Sequence, residues 1–105
     1  MTSLKSLQKL KKPKLIIFRR VVGDSMLPTL KPGKLIIASG LVKPRLNQLV
    51  VARVEGREIV KRLVKTSAKG AYIVGDNLAE SSDSRKFGWI RPENLSATVI
   101  WPNKA

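Results

Sequence analysis

The chain has neither cysteine nor histidine. Without thiols, no disulfide staples the fold and no thiolate can act as nucleophile or soft-metal ligand. Without imidazole, the Ser–His–Asp and Cys–His schemes drop out, and with them most zinc sites. Any chemistry must fall to hydroxyls, carboxylates or lysines. Acidic residues are scarce, 7 against 21 Lys and Arg in 105 residues, which leaves a formal net charge of +14. Such an excess favours an anionic partner, or else it is a solvated basic surface and nothing more. Aromatic residues make up only 5% of the chain. That is too few for an obvious base-stacking platform, so nucleic acid is not expected as an obligatory partner. Long apolar runs are missing as well. The longest uncharged ones, such as Leu15–Phe18 and Leu49–Ala52, have only four residues, far short of the roughly 20 that cross a bilayer.

The length is that of one domain, and 43% apolar residues can fill one modest core. The first 13 residues read as a separate basic segment: Lys5, Lys9, Lys11 and Lys12 alternate with Leu4, Leu7 and Leu10, and Pro13 ends any helix there. No apolar stretch follows these lysines as a secretory signal requires. The spacing fits a short amphipathic helix on anionic lipid or a frayed terminus, so peripheral membrane contact stays open. Residues 14–105 read as one domain of short strands. These are Leu15–Val22, Leu35–Ala38 after the turn-forming Lys31-Pro32-Gly33-Lys34, Leu49–Val54, Arg57–Lys65, Ala71–Val74 and Ala97–Trp101. Glu55-Gly56 joins two of them as a tight hairpin. A short helix is expected near Ser25 or around Pro92–Leu95. The fold class is mostly β, a small coiled sheet or partial barrel with little helix. The polar stretch Gly75–Gly88 is too long for a simple turn, and loops of that length in small domains are usually functional or disordered.

Three patches carry candidate chemistry. Gly23-Asp24-Ser25-Met26-Leu27-Pro28-Thr29-Leu30 places a serine in a turn after a strand. Such a serine is either a cap or a presented hydroxyl. In Ile59-Val60-Lys61-Arg62-Leu63, strand alternation puts Lys61 on one face with Ile59 and Leu63, and Arg62 on the other with Val60. The two bases either snorkel from a half-buried strand or include a lysine that burial keeps neutral. Gly75-Asp76-Asn77 with Ser81-Ser82-Asp83-Ser84-Arg85 gathers acids, hydroxyls and an arginine on one loop, where an Asp–Arg pair can lock the backbone.

In this order, with 36 residues between Ser25 and Lys61, the three patches resemble the signal peptidase I family of serine–lysine peptidases. The resemblance runs from about Val21 to Trp101. It implies Ser25 as nucleophile and Lys61 as general base, with Ser81 orienting the lysine amine. It implies Asp83 and Arg85 as the pair that holds the loop, supported by Asp76. The Ser25 N–H becomes part of the oxyanion hole. Some members carry a hydroxyl residue where this chain has Gly23. The pocket for small side chains maps to Val21, Met26, Leu30, Ile59 and Val60. No cofactor or metal is implied.

The chain departs from typical members in lacking both a transmembrane segment and an inserted β-region after the lysine strand. Only Thr66-Ser67-Ala68-Lys69-Gly70 stands there. In this it is similar to the short members that mature nickel-type superoxide dismutase. The implied activity is serine endopeptidase removal of an N-terminal extension from a precursor protein, in the cytoplasm. The alternatives are signal-peptide processing at a membrane surface, a non-catalytic nucleic-acid binder, and a self-cleaving repressor-type protein. The last would need a scissile segment ahead of Ser25, and no Ala-Gly or Cys-Gly pair occurs there.

Overall fold

The computed structural model describes residues 15–103. The basic segment 1–13 lies outside the described residues. Six strands form one antiparallel sheet: β1 Ile17–Arg20, β2 Leu35–Ser39, β3 Leu49–Val54, β4 Arg57–Ser67, β5 Gly70–Val74 and β6 Leu95–Trp101. Their order across the sheet is β1-β2-β6-β3-β4-β5. Among the described residues, helix is confined to one turn, α1, at Ser84–Phe87, and to 3-10 turns at Leu78–Glu80 and Pro92–Asn94. The mostly β class expected from the sequence is what the chain adopts.

Strand β3 shows why the sheet holds. Leu49, Val50, Val51 and Ala52 are all buried, as expected for a run of apolar residues with no polar alternation. Leu49 and Val51 pack into one cluster with Ile17, Val21, Met26, Leu30 and Ile36. Val50 and Ala52 pack into a second cluster with Leu63, Ala71, Ile73 and Ile90. A strand with core on both sides must lie centrally, and each large side chain buried this way contributes about 1.5–3 kcal/mol. The hairpin closes at Glu55-Gly56, and Val54 lies opposite Arg57.

Several boundaries differ from the expectation. The first strand is shorter, because Val21 already belongs to the loop and only its backbone continues the pairing, through bonds to Gly33 and Lys34. The fourth strand runs two residues further, to Ser67, where Gly70 pairs with it. Ser25 sits in consecutive turns, not at a helix start, held by bonds from Leu27 N–H to the Asp24 carbonyl and Leu30 N–H to the Met26 carbonyl.

Among the described residues, the sheet has two free backbone edges that matter for the site. Strand β1 pairs there only with β2. The first half of β4, Arg57–Lys61, pairs only with β3, since β5 takes up pairing from Arg62 onward. Although three strands separate β1 from β4 in the sheet order, Arg19 of β1 reaches Glu58 of β4 at 2.6 Å. The sheet therefore coils until its first strand approaches its fifth in spatial order.

Candidate active site

A cavity of about 260 Å3 occupies the seam between β1 and β4. Its apolar lining comes from Val21, Val22, Ile36, Val51, Ile59 and Val60, and Ser25 and Lys61 also line it. Lys61 Nζ lies 2.7 Å from Ser25 Oγ. Lys61 is buried, only 5% exposed. Burial depresses the amine's pKa. Asp83 opposes that shift and Arg85 reinforces it. Because those two are paired with each other, burial decides the direction.

The turn that presents Ser25 is gripped by the Gly75–Asn77 segment. Asn77 N–H donates to the Ser25 carbonyl at 2.9 Å, and the Asn77 side-chain amide donates to the Asp24 carbonyl at 3.0 Å. A side chain at Gly75 would meet the Ser25 carbonyl oxygen at 2.6 Å and Ser81 Oγ at 2.2 Å. Glycine is therefore required there by close approach. The Ser25 N–H donates to no protein acceptor among the described residues. Gly23 has φ +80°, a left-handed conformation in which any L side chain is strained, even though the space beside it is open. A hydroxyl residue at position 23 would need a different backbone.

Two ion pairs hold the surrounding loop. Arg62 of β4 binds Asp76 through both carboxylate oxygens, at 2.8 and 2.7 Å, and also donates to the Asn47 carbonyl. The Thr29 hydroxyl donates to the same carboxylate. Asp76 thus ties the serine turn to the lysine strand. Its carboxyl lies below the usual range because the Arg62 hydrogen bond outweighs burial, with help from Thr29. Asp83 is fully buried. Burial pushes its carboxyl up, yet hydrogen bonds from the Arg85 side chain, Ser81 and the N–H groups of Gly75 and Arg85 overcome that and hold it far below the usual range.

The expected site residues divide cleanly. Ser25, Lys61, Val21, Ile59 and Val60 line one cavity. Asp76, Asp83 and Arg85 stand behind it as loop supports. The Ser81 hydroxyl donates to Asp83 Oδ2 at 2.6 Å, while the lysine amine bonds Ser25. A buried carboxylate is the stronger acceptor and captures the proton. Met26 and Leu30 are core residues, buried in the first cluster and not part of the cavity wall. The serine turn folds Met26 and Leu30 inward, while Ser25 faces the seam. The sequence reading missed the clamps made by Thr29, Arg62 and Asn77, although all three stand inside the quoted motifs. It also missed Arg19, Arg20 and Glu58 in the cavity wall, for which the only signal is charge on a strand otherwise apolar. Among the described residues, no group of three or more acidic side chains is placed to hold a metal ion.

No curated protein matches the chain significantly. A protein-family model does match, over residues 2–85, a span that contains the serine turn, the lysine strand and the loop through Arg85. The family it describes is Peptidase S24-like, which is coarser than the likeness to signal peptidase I drawn from the motifs. With four-fifths of its length covered, the chain belongs to the Peptidase S24-like family, a family of serine-peptidase type.

Proposed function

We propose that the protein is a serine endopeptidase in which Ser25 is the nucleophile and Lys61 its general base. The observation that carries this reading is the 2.7 Å approach of a buried lysine amine to a turn-presented serine hydroxyl, at the end of a cavity between two free strand edges. An extended peptide can add its backbone to such edges. Ser25 Oγ attacks the scissile carbonyl carbon and its proton passes to the neutral Lys61 amine. The developing oxyanion meets the Ser25 N–H. The C–N bond breaks as Lys61 returns the proton to the leaving amine. Water then repeats the sequence on the acyl-enzyme, Lys61 taking its proton and returning it to Ser25 Oγ.

The substrate in this reading is a precursor protein that loses an N-terminal extension. Resemblance to the short dismutase-maturing members makes the nickel-type superoxide dismutase precursor the specific candidate. The test is co-expression of that precursor with wild-type protein or Ser25→Ala, followed by N-terminal sequencing. Cleavage only with wild type is expected. An uncut precursor beside an enzyme that trims other proteins removes the substrate and leaves the peptidase.

A second reading, processing at an anionic membrane surface, is favoured by one observation. Phe18, Ile37 and Trp101 lie in register across β1, β2 and β6, Phe18 is 59% and Trp101 47% exposed, and the Lys34 amine sits 4.6 Å above the Trp101 ring. Aromatic and basic side chains together suit a lipid interface. Sedimentation with anionic vesicles, lost in Phe18→Ser/Trp101→Ser, distinguishes it.

A further inference from the structure

At the cavity wall, two charged side chains span the seam. Arg19 of β1 donates to Glu58 of β4 through Nε at 2.6 Å and Nη2 at 3.3 Å. Both line the same cavity as Ser25 and Lys61. The pair is partly exposed, with side-chain exposures of 39% and 24%, so solvent and a bound peptide can both reach it. A third charge, Arg20, lines the same wall and donates to the Gly33 carbonyl. Any chain segment that pairs with the free edges of β1 and β4 must pass these groups.

The two halves of the pair are not equivalent. Glu58 has a second cation, Arg53 Nη2 at 3.5 Å. Arg19's other hydrogen bond goes to the Phe18 carbonyl, and Glu58 is the carboxylate that neutralises it. A substrate carboxylate that takes Glu58's place on Arg19 leaves Glu58 beside Arg53, so no charge is stranded. A substrate lysine that takes Arg19's place on Glu58 leaves Arg19 next to Arg20 with no carboxylate. Leaving a charge without its partner is the less favourable outcome, modestly so for a pair this exposed. The two arginines against one glutamate in the wall point the same way, as does the +14 of the whole chain.

We infer that Arg19 is a specificity-determining residue and Glu58 its resident competitor, so that the peptidase selects substrates with an Asp or Glu side chain in the segment that lies along the β1–β4 seam. The inference rests on the peptidase reading above. Its subject is which substrates are taken, not whether bonds are cut.

The experiment uses the full chain with a proteome-derived peptide library, and reads new termini by mass spectrometry with Ser25→Ala as blank. A cleaved peptide and its Asp/Glu→Gln/Asn counterpart are then compared as the ratio of their kcat/KM values. Wild type is expected to favour the acidic peptide about fivefold, the upper range for a partly exposed ion pair. Arg19→Gln should bring the ratio to about 1, and Glu58→Gln should raise it above wild type by removing the competitor. A purely structural pair would lower activity in both variants without moving the ratio in opposite directions, and that result overturns the inference. Ser25-dependent cleavage with no acidic preference also overturns it while the peptidase reading stands. No Ser25-dependent cleavage of the library overturns both. Thermal melts of the two variants exclude misfolding as the source of a changed ratio.

Discussion

At the scale of single residues, the site turns on one lysine held where its charge is disfavoured. Lys61 has a folded pKa below its unfolded value because burial penalises the ammonium. Between those two values the unfolded chain binds the extra proton, so stability rises with pH across that window. Below the folded pKa the penalty is fully present. Lys61→Met should therefore be more stable than wild type at neutral pH, with the gain fading as pH approaches the ordinary lysine value of about 10.4. Melting curves at pH 7 and pH 10 check this, and equal shifts at both would show that the amine carries no penalty. The same variant should lose peptidase activity by several powers of ten, as should Ser25→Ala, and the two losses should not add. Wild-type activity should rise with pH along a limb below the ordinary lysine range, read as kcat/KM on a substrate limited by chemistry. The pairing of Ser25 with Lys61 was legible in the sequence because no histidine or cysteine competes for the role and the motifs occur in order. The bond that Ser81 makes was not, because adjacency in a loop does not tell which of two nearby acceptors a hydroxyl will choose.

At the scale of elements, the Gly75–Arg85 loop is the part that fixes the site, and its two ends fail differently. Gly75→Ala introduces a methyl that must displace the Ser25 carbonyl or the Ser81 side chain. We expect a large loss of kcat, and retained activity would show that the serine turn can shift without penalty. Asp83→Ala removes a buried carboxylate that satisfies Ser81, Arg85 and the Gly75 N–H. Arg85 stays 40% exposed, so the cost lies in leaving the Gly75 N–H and the Ser81 hydroxyl without their acceptor, roughly 1–3 kcal/mol each, which lowers Tm by about 10 °C or more in a domain of this size. The Arg91–Glu93 pair makes the contrast, being 3.9 Å apart and mostly exposed. Glu93→Ala should cost under about 1 kcal/mol. A similar Tm for the two variants would remove the distinction. The depressed Asp83 and Asp76 carboxyls stabilise the fold fully above the ordinary carboxylate range, and that stabilisation is lost as pH falls through their folded values. The strands were legible from apolar runs and from the Glu55-Gly56 turn. Three-strand separation of β1 and β4 was not. Sheet order depends on long-range pairing that no local pattern encodes. For the same reason the cavity wall could be only partly assigned: Val21, Ile59 and Val60 belong to it, whereas Met26 and Leu30 needed the turn's folded direction to be seen as core.

At the scale of the whole molecule, the dominant property is charge. The excess of 14 positive charges was plain from composition; its partner was not, since nucleic acid, lipid and acidic protein all satisfy it. Among the described residues no helix is long and apolar enough to cross a membrane. Seven acids cannot neutralise 21 bases, and three of those acids are engaged at the site: Glu58 at the seam, Asp76 and Asp83 behind it. The field around the cavity is therefore positive, while the Lys61 amine inside it is held below its ordinary pKa. This division separates two salt effects. Long-range attraction of an acidic substrate is screened beyond about 8 Å at physiological ionic strength, so its encounter rate should fall with salt. The Lys61–Ser25 contact is partly buried and only 2.7 Å long, well inside the screening length, and salt should leave it largely unchanged. For an acidic substrate, kcat/KM should thus drop by about tenfold between low and high salt while kcat stays within about twofold. A neutral peptide of the same length should show neither change. The measurement is a steady-state series in sodium chloride at fixed pH. A parallel fall in kcat and kcat/KM for both substrates would mean that salt acts on the Lys61–Ser25 contact itself, and the division between a charged approach and a lysine held below its ordinary pKa would have to be given up.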